Sequence, residues 1–219
     1  MEITLESVAR CMSAHVPMYA WRRPVYQHVM LQSLQQLWEP DIRSALDVGG
    51  GTGLMAQTVK TLFGLRRVAS VDIQDRYLGS LSIETAIYDG CTLPFPDGSF
   101  DCILLFNVLH HVPRPVRPQL LRECRRVAGT GPIFIKDHLA QGVIDDIRLG
   151  VLDLLGNVPF NGMIRASYLR ADDWQDLAKA TGLMAGEPVV GKYRTGAFAA
   201  LFPNRLETAV KWRPSDARA

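Results

Sequence analysis

Apolar residues follow two alternating rhythms along this chain. Compact apolar and β-branched runs at 44–48, 67–73, 84–88, 102–106 and 131–137 have the length and composition of buried strands. Between them the spacing turns helical: Tyr26, Met30, Leu34 and Leu37; Leu54, Met55, Val59 and Leu62; Leu120, Leu121, Cys124 and Val127; Val143, Ile147, Val151 and Leu154. Pro24 opens the first of these helices and Pro40 forbids its continuation. A shorter helix is expected around Ile3 to Met12, and another from Asp172-Asp173 to about Ala180, with Gly182 as its stop. Strands alternating with helices predict an α/β fold on a parallel sheet. Leu183 to Tyr193 and Thr195 to Phe202 read as two more strands joined by a tight turn, and the polar chain from Pro203 reads as a tail that frays from Lys211. The stripe Val143–Leu154 is expected to pack inward, and the turn-rich apolar stretch 158–164 that follows it is harder to place in a core.

Composition narrows the function classes. At 219 residues the chain suits one domain, and 47% hydrophobic with 21% charged residues is ordinary for a globular protein. A formal net charge of +2 argues against an electrostatic nucleic-acid binder. No apolar run approaches the ~20 residues of a membrane span, and the first residues lack a basic region followed by a hydrophobic one. Cys11, Cys91, Cys102 and Cys124 have no close metal spacing and fit buried thiols, so a cytoplasmic protein is expected.

The chemistry centres on Leu46 to Gly53, Leu-Asp-Val-Gly-Gly-Gly-Thr-Gly, where a strand stops abruptly and a helix begins. Glycine allows tight backbone angles and close approach of a ligand to the main chain. The helix start offers unpaired N–H groups and the positive end of its dipole, so a cofactor with polar or anionic groups is implied. Two frames compete. Gly51-Thr52-Gly53-Leu54-Met55-Ala56 satisfies a dinucleotide fingerprint; Asp47-x-Gly49-x-Gly51-x-Gly53 is the alternative. Asp72 stands about 20 residues further on, where a carboxylate accepts hydrogen bonds from ribose hydroxyls in either kind of cofactor.

The second frame resembles motif I of the class I S-adenosylmethionine-dependent methyltransferases. Downstream, Asp89-Gly90-Cys91-Thr92-Leu93-Pro94-Phe95 and Ser99-Phe100-Asp101 are similar to that family's passage from strand three to strand four, and Asn107-Val108-Leu109-His110-His111-Val112 resembles its small-molecule, methyltransferase type 11-like branch. The resemblance covers roughly residues 41–202. It implies a Rossmann-like, doubly wound, seven-stranded sheet with a C-terminal antiparallel hairpin, N-terminal helices as a cap over 1–40, and a domain over 41–219 with a helical lid at about 139–168. It also implies S-adenosylmethionine as cofactor, with Asp47 toward the ammonium, Gly49, Gly51 and Gly53 in the turn, Asp72 on the ribose, Ile73 on the adenine face, Asp89 and Gly90 on the adenine edge, and Asn107 close by.

The expected activity is methyl transfer to an O, N or C nucleophile of a small molecule. The absence of an Asn/Asp-Pro-Pro-Tyr motif after strand four argues against the amino-methylating DNA and protein-glutamine branches. His110 is a candidate general base, His138 and Asp137 are further candidates at the same sheet edge, and His111 is expected to support the fold. The paired histidines have no acidic or cysteine partner at short ligand spacing, so no metal site is expected. Tyr19, Trp21, Arg22 and Arg23 are candidates for shaping the acceptor pocket, as are Phe160, Met163 and Tyr168 in the lid. The alternatives are a non-catalytic S-adenosylmethionine-binding interaction protein or a methyltransferase acting on RNA or protein. Neither a nucleic-acid nor a membrane partner is expected, and monomer and homodimer both remain open.

Overall fold

The computed structural model describes residues 2–157 and 166–215. Five parallel strands, β1 (Ser44–Val48), β2 (Arg67–Asp72), β3 (Glu84–Ile87), β4 (Cys102–Phe106) and β5 (Ile133–His138), are joined through helices that include α3 (Leu54–Phe63) and α4 (Arg117–Ala128). The sheet order is β3-β2-β1-β4-β5-β8-β6, where β6 is Leu183–Ala185 and β8 is Glu207–Pro214; the two-residue β7 (Val189–Val190) also pairs with β8 and brings the count to eight. Strand β8 runs antiparallel to β5, β6 and β7. The order reverses between β1 and β4, the switch point at which open α/β sheets bind ligands.

Alternation along the strands divides the core between two faces. Leu46, Ile103, Leu105, Ile133 and Ile135 pack with α4 and α6 (Ala171–Ala180), and Trp212 of β8 meets Trp174 edge-on at 5.9 Å. Ala45, Val68, Leu104 and Phe134 pack on the other face against α3, α1 (Leu5–Ser13) and α2 (Val25–Leu37). Helix α1 is entered through a reciprocal cap between Thr4 and Ser7. Burial on both faces explains why β1, β2 and β4 read as near-continuous apolar runs, whereas the edge strand β3 is largely exposed. Among the described residues no helix is long and apolar enough to cross a membrane.

Three expectations are corrected. The antiparallel hairpin exists, but Thr195–Phe202 is not its second strand: Gly196–Leu201 is helix α7, rich in helix-forming alanine. The second strand is β8, within the stretch read as a polar tail. Its Glu207 and Thr208 are buried, and Lys211 and Arg213 reach Glu39 at 3.0 and 2.5 Å. The apolar stripe of α5 (Val143–Asn157) faces outward, with Val143, Ile147, Val151 and Leu154 all exposed. The inner face of α5 carries Leu149 and the buried carboxylates Asp145 and Asp153. Phe160 and Met163 lie outside the described residues.

Candidate active site

The carboxyl ends of β1, β2 and β3 form a crevice around the glycine turn. Gly49, Gly51 and Gly53 all have positive φ, which side chains disfavour. Gly50 is needed for a different reason: a Cβ there would stand 1.9 Å from Ser70 Oγ and 2.3 Å from Asp47 Oδ2, so glycine lets the Asp47 carboxylate fold back against the turn. Beside Gly51 nothing lies within 4 Å of a Cβ position, and its N–H donates to Asp72 Oδ2 at 2.8 Å. Helix α3 begins at Gly53 with no side-chain cap, so its first N–H groups point into this space.

Asp47 is buried, and Ser70 Oγ donates to it at 3.2 Å. Burial is the largest influence on this carboxyl and, with the nearby charge of Asp72, outweighs the Ser70 hydrogen bond and raises its pKa to about 7. Such a carboxylate favours an incoming cation. Asp72 is also buried; its Oδ1 accepts from the Gln74 N–H at 3.0 Å, with Arg76 at 3.5 Å. Ile73 follows with its side chain 45% exposed, an unusual cost for isoleucine, and it lies next to Gly90. Asp89 is at the surface, where Oδ1 accepts from the N–H groups of Cys91 and Thr92 at 2.8 and 2.6 Å. These hydrogen bonds hold its carboxyl below the usual range.

Asn107 links this crevice to a second cluster. It is the one non-glycine residue with positive φ among those described, and its N–H donates to the Lys136 carbonyl at 2.8 Å. Its side chain turns to Tyr26 of α2 and to Lys136 Nζ, 2.5 Å from Asn107 Oδ1. Lys136 also reaches the Tyr26 hydroxyl and Glu207 Oε2, and Arg194 binds Glu207 Oε1 at 2.5 Å. Burial would raise the Glu207 carboxyl, but Lys136 and His138 hold it well below the usual range.

The histidines lie on the far side of Glu207. His138 Nδ1 is 3.2 Å from Glu207 Oε2 and its Nε2 is 3.2 Å from Asp153 Oδ1. Burial favours the neutral ring, but Glu207 and Asp153 raise its pKa to about 9. His110 Nδ1 donates to Asp137, which also accepts from the His138 N–H at 2.7 Å. Since a carboxylate only accepts, this contact places a proton on Nδ1. His110 Nε2 is buried without a hydrogen-bond partner, 3.5 Å from Asp153 Oδ2. The Tyr168 hydroxyl donates to Asp153 at 2.6 Å. Against the expectation from spacing, then, His110 does have acidic neighbours, but they come from other elements. Of the N-terminal candidates, Tyr19 is in the core while Trp21, Arg22 and Arg23 are exposed; Tyr26 is the residue of that region which reaches the cluster.

Residues 46–135 match the family model described as a methyltransferase domain, and they span the glycine turn, Asp72, Asp89 and His110. Over these residues the chain carries a methyltransferase domain. An uncharacterized methyltransferase from Mycobacterium sp. (strain KMS) is 37% identical over 103 residues, 45% of this chain and 40% of the relative. Chavicol O-methyltransferase from Ocimum basilicum is 25% identical over 160 residues, 71% of this chain and 44% of the relative. The chain thus spans less than half the length of these curated relatives. In fold, the chain matches a chain of the complex between the Haloferax volcanii Trm112 methyltransferase activator and a methyltransferase with a TM-score of 0.67 at 13% identity, over 97% of this chain and 99% of that one.

Sequence reasoning missed four side chains of the charged cluster: Tyr26, Asp153, Arg194 and Glu207. Tyr26 was read as one member of an apolar stripe, Asp153 sits inside a helix whose apolar face dominated its pattern, and Glu207 was assigned to the tail. One signal was present. Glu207 and Thr208 begin a run ending in Ala209-Val210-Lys211-Trp212, which alternates as a strand does.

Proposed function

We propose that this chain transfers a methyl group from S-adenosylmethionine to a nucleophilic atom of a small molecule. The observation that carries the proposal is the crevice in which the buried Asp47 and Asp72 carboxylates flank the open space at Gly51. In this reading Asp47 meets the cofactor's ammonium, the turn of Gly49, Gly51 and Gly53 lies along its methionine half, and Asp72 accepts from the ribose hydroxyls. Ile73 covers one adenine face, Asp89 and the Gly90 N–H meet the adenine edge, and Asn107 closes the crevice next to the acceptor side.

The sulfonium supplies an already activated methyl group, so the protein's main task is alignment of the acceptor, and positioning alone contributes several kcal/mol. A protonated acceptor also needs somewhere to send its proton. His110 suits this task because Asp137 fixes its Nδ1–H and leaves Nε2 without a hydrogen-bond partner. The likeness to chavicol O-methyltransferase favours a hydroxyl acceptor. Residues 1–40 act as a cap, bringing Tyr26 of α2 to Lys136, and α5 closes the acceptor side through Asp153.

Calorimetric titration with S-adenosylhomocysteine, with NAD in parallel, tests the proposal. Micromolar binding of the former alone is expected; binding of NAD alone means that the dinucleotide frame is correct. Given binding, His110→Ala and His138→Ala should slow turnover while leaving cofactor affinity intact. Full activity in both removes the histidines from the chemistry. Binding without turnover across a panel of small nucleophiles supports the non-catalytic alternative.

A further inference from the structure

His110, His138 and Asp153 each offer a ligand atom, and these atoms lie within 4.8 Å of one another in a buried position. The histidines come from the ends of β4 and β5 and the carboxylate from α5, 28 and 15 residues apart along the chain, which conceals the grouping from any short motif. We propose that these three side chains bind a divalent first-row transition-metal ion, and that the acceptor's heteroatom takes one of the remaining positions on it.

Each ligand is already oriented from behind. His110 donates its Nδ1–H to Asp137, leaving Nε2 directed at the cluster, buried and without a hydrogen-bond partner. His138 places Nδ1 against Glu207 and presents Nε2 3.2 Å from Asp153. Asp153 is held by the Tyr168 hydroxyl at 2.6 Å. Carboxylates behind both imidazoles and a hydroxyl behind the carboxylate are the outer contacts that fix tautomer and direction in metal sites. A cluster that only closed a hydrogen-bond network has no need to leave a histidine nitrogen unpartnered at its centre.

Charge supports the same assignment. Glu207 is matched by Lys136 and Arg194. Asp137 and Asp153 remain, against two imidazoles and the more distant Arg117, whose guanidinium donates to the Val112 and Ser167 carbonyls. As a ligand His138 is a neutral ring and gives up the proton it carries in the free protein, and a divalent cation between the ring nitrogens takes over the balancing of this buried negative charge. Two imidazoles with one carboxylate suit zinc, iron(II), cobalt(II) or nickel(II) rather than magnesium or calcium, which favour all-oxygen sites. Three protein ligands leave positions open, as in catalytic rather than structural sites. Only the acceptor half of this inference rests on the proposed methyl transfer; the ion binds with or without it, and while it occupies His110 Nε2 that nitrogen does not take the acceptor's proton.

The test uses the full chain, treated with a chelator and titrated with cobalt(II) chloride. One equivalent is expected to bind at micromolar or tighter affinity with visible ligand-field absorption, and zinc should displace it. Asp153→Asn and His138→Gln should weaken binding at least tenfold, and Tyr168→Phe less, whereas His15→Ala, altering a residue bonded to Ser80 on the opposite flank, should have no effect. Far-ultraviolet circular dichroism verifies that each variant is folded. A folded wild type without the cobalt spectrum, or unchanged binding in both ligand variants, overturns the site. S-adenosylhomocysteine titrated into the same samples separates the two claims: its binding without cobalt removes the metal alone, and cobalt without it removes the methyl-donor reading alone.

Discussion

The two halves of the sheet's carboxyl edge treat buried charge in opposite ways. On the β1–β2 side, Asp47 and Asp72 are buried with hydroxyl and backbone donors as close partners, Arg76 stands 3.5 Å from Asp72, and Asp47, with no cation beside it among the described residues, is displaced toward its protonated form. On the β5–β8 side, Glu207 sits among Lys136, Arg194 and His138, so carboxylate and cations are matched within the protein. The first arrangement is expensive until something from outside supplies positive charge and donors. The second is expensive only if one of its members is removed. An open crevice and an ion-paired cluster thus share one edge of the sheet.

The largest effect should come from breaking the matched side. Glu207→Gln leaves Lys136, Arg194 and His138 facing a neutral amide and should cost about 3–5 kcal/mol. For a chain of this size that lowers the melting temperature by roughly 6–20 °C. A melt within a degree or two of wild type would mean that the cluster is hydrated and the contrast between the halves is false.

The parts legible in the sequence were those whose meaning is local. Strand, glycine turn and helix follow one another within twenty residues, Asp72 closes the next strand, and Asp89-Gly90 lies in one loop, so chain order alone set them on one edge. Illegible were the contacts made across the fold. Asp153 meets His110 and His138 only because α5 turns its polar face inward, reversing the usual rule for an amphipathic helix. Strand β8 was hidden because its buried first residues are Glu207 and Thr208, polar types that read as solvent-exposed until the cationic partners of Glu207 are known.

On the open side the expected effects are on binding rather than folding. Asp72→Ala should weaken S-adenosylhomocysteine binding about 10- to 100-fold, the loss of one charge-assisted hydrogen bond at about 1.5–3 kcal/mol. Calorimetry on the folded variant decides, and unchanged affinity removes Asp72 from the ribose. Asp47 should impose a pH dependence. Its carboxyl has a pKa of about 7 in the free protein and is ionised against the ammonium in the complex, so binding releases a proton below pH 7. Affinity should therefore rise about fivefold between pH 6 and 7 and at most about twofold more above it. Asp47→Asn should lose this slope. The same variant should melt at or above the wild-type temperature at pH 8, because a carboxyl whose pKa is raised on folding loses stability as pH climbs from about 4 to 7. The smallest effect belongs to Ile73→Ala, where a lost apolar contact of about 1 kcal/mol means roughly fivefold weaker binding with little change in melting.

The place of β8 in the sheet has a consequence for synthesis. It lies between β5 and β6 in space but follows both in sequence. At ribosomal rates of about 5–20 residues per second, on the order of ten seconds pass after β5 emerges before β8 can pair with it. During that interval β5 is an open edge, and Lys136 and His138 have no Glu207 beside them. The glycine-turn crevice can therefore take shape on the nascent chain well before the histidine cluster does. A chain interrupted before residue 207 would retain the glycine turn and display an unpaired strand, making it a natural target for chaperones and proteases.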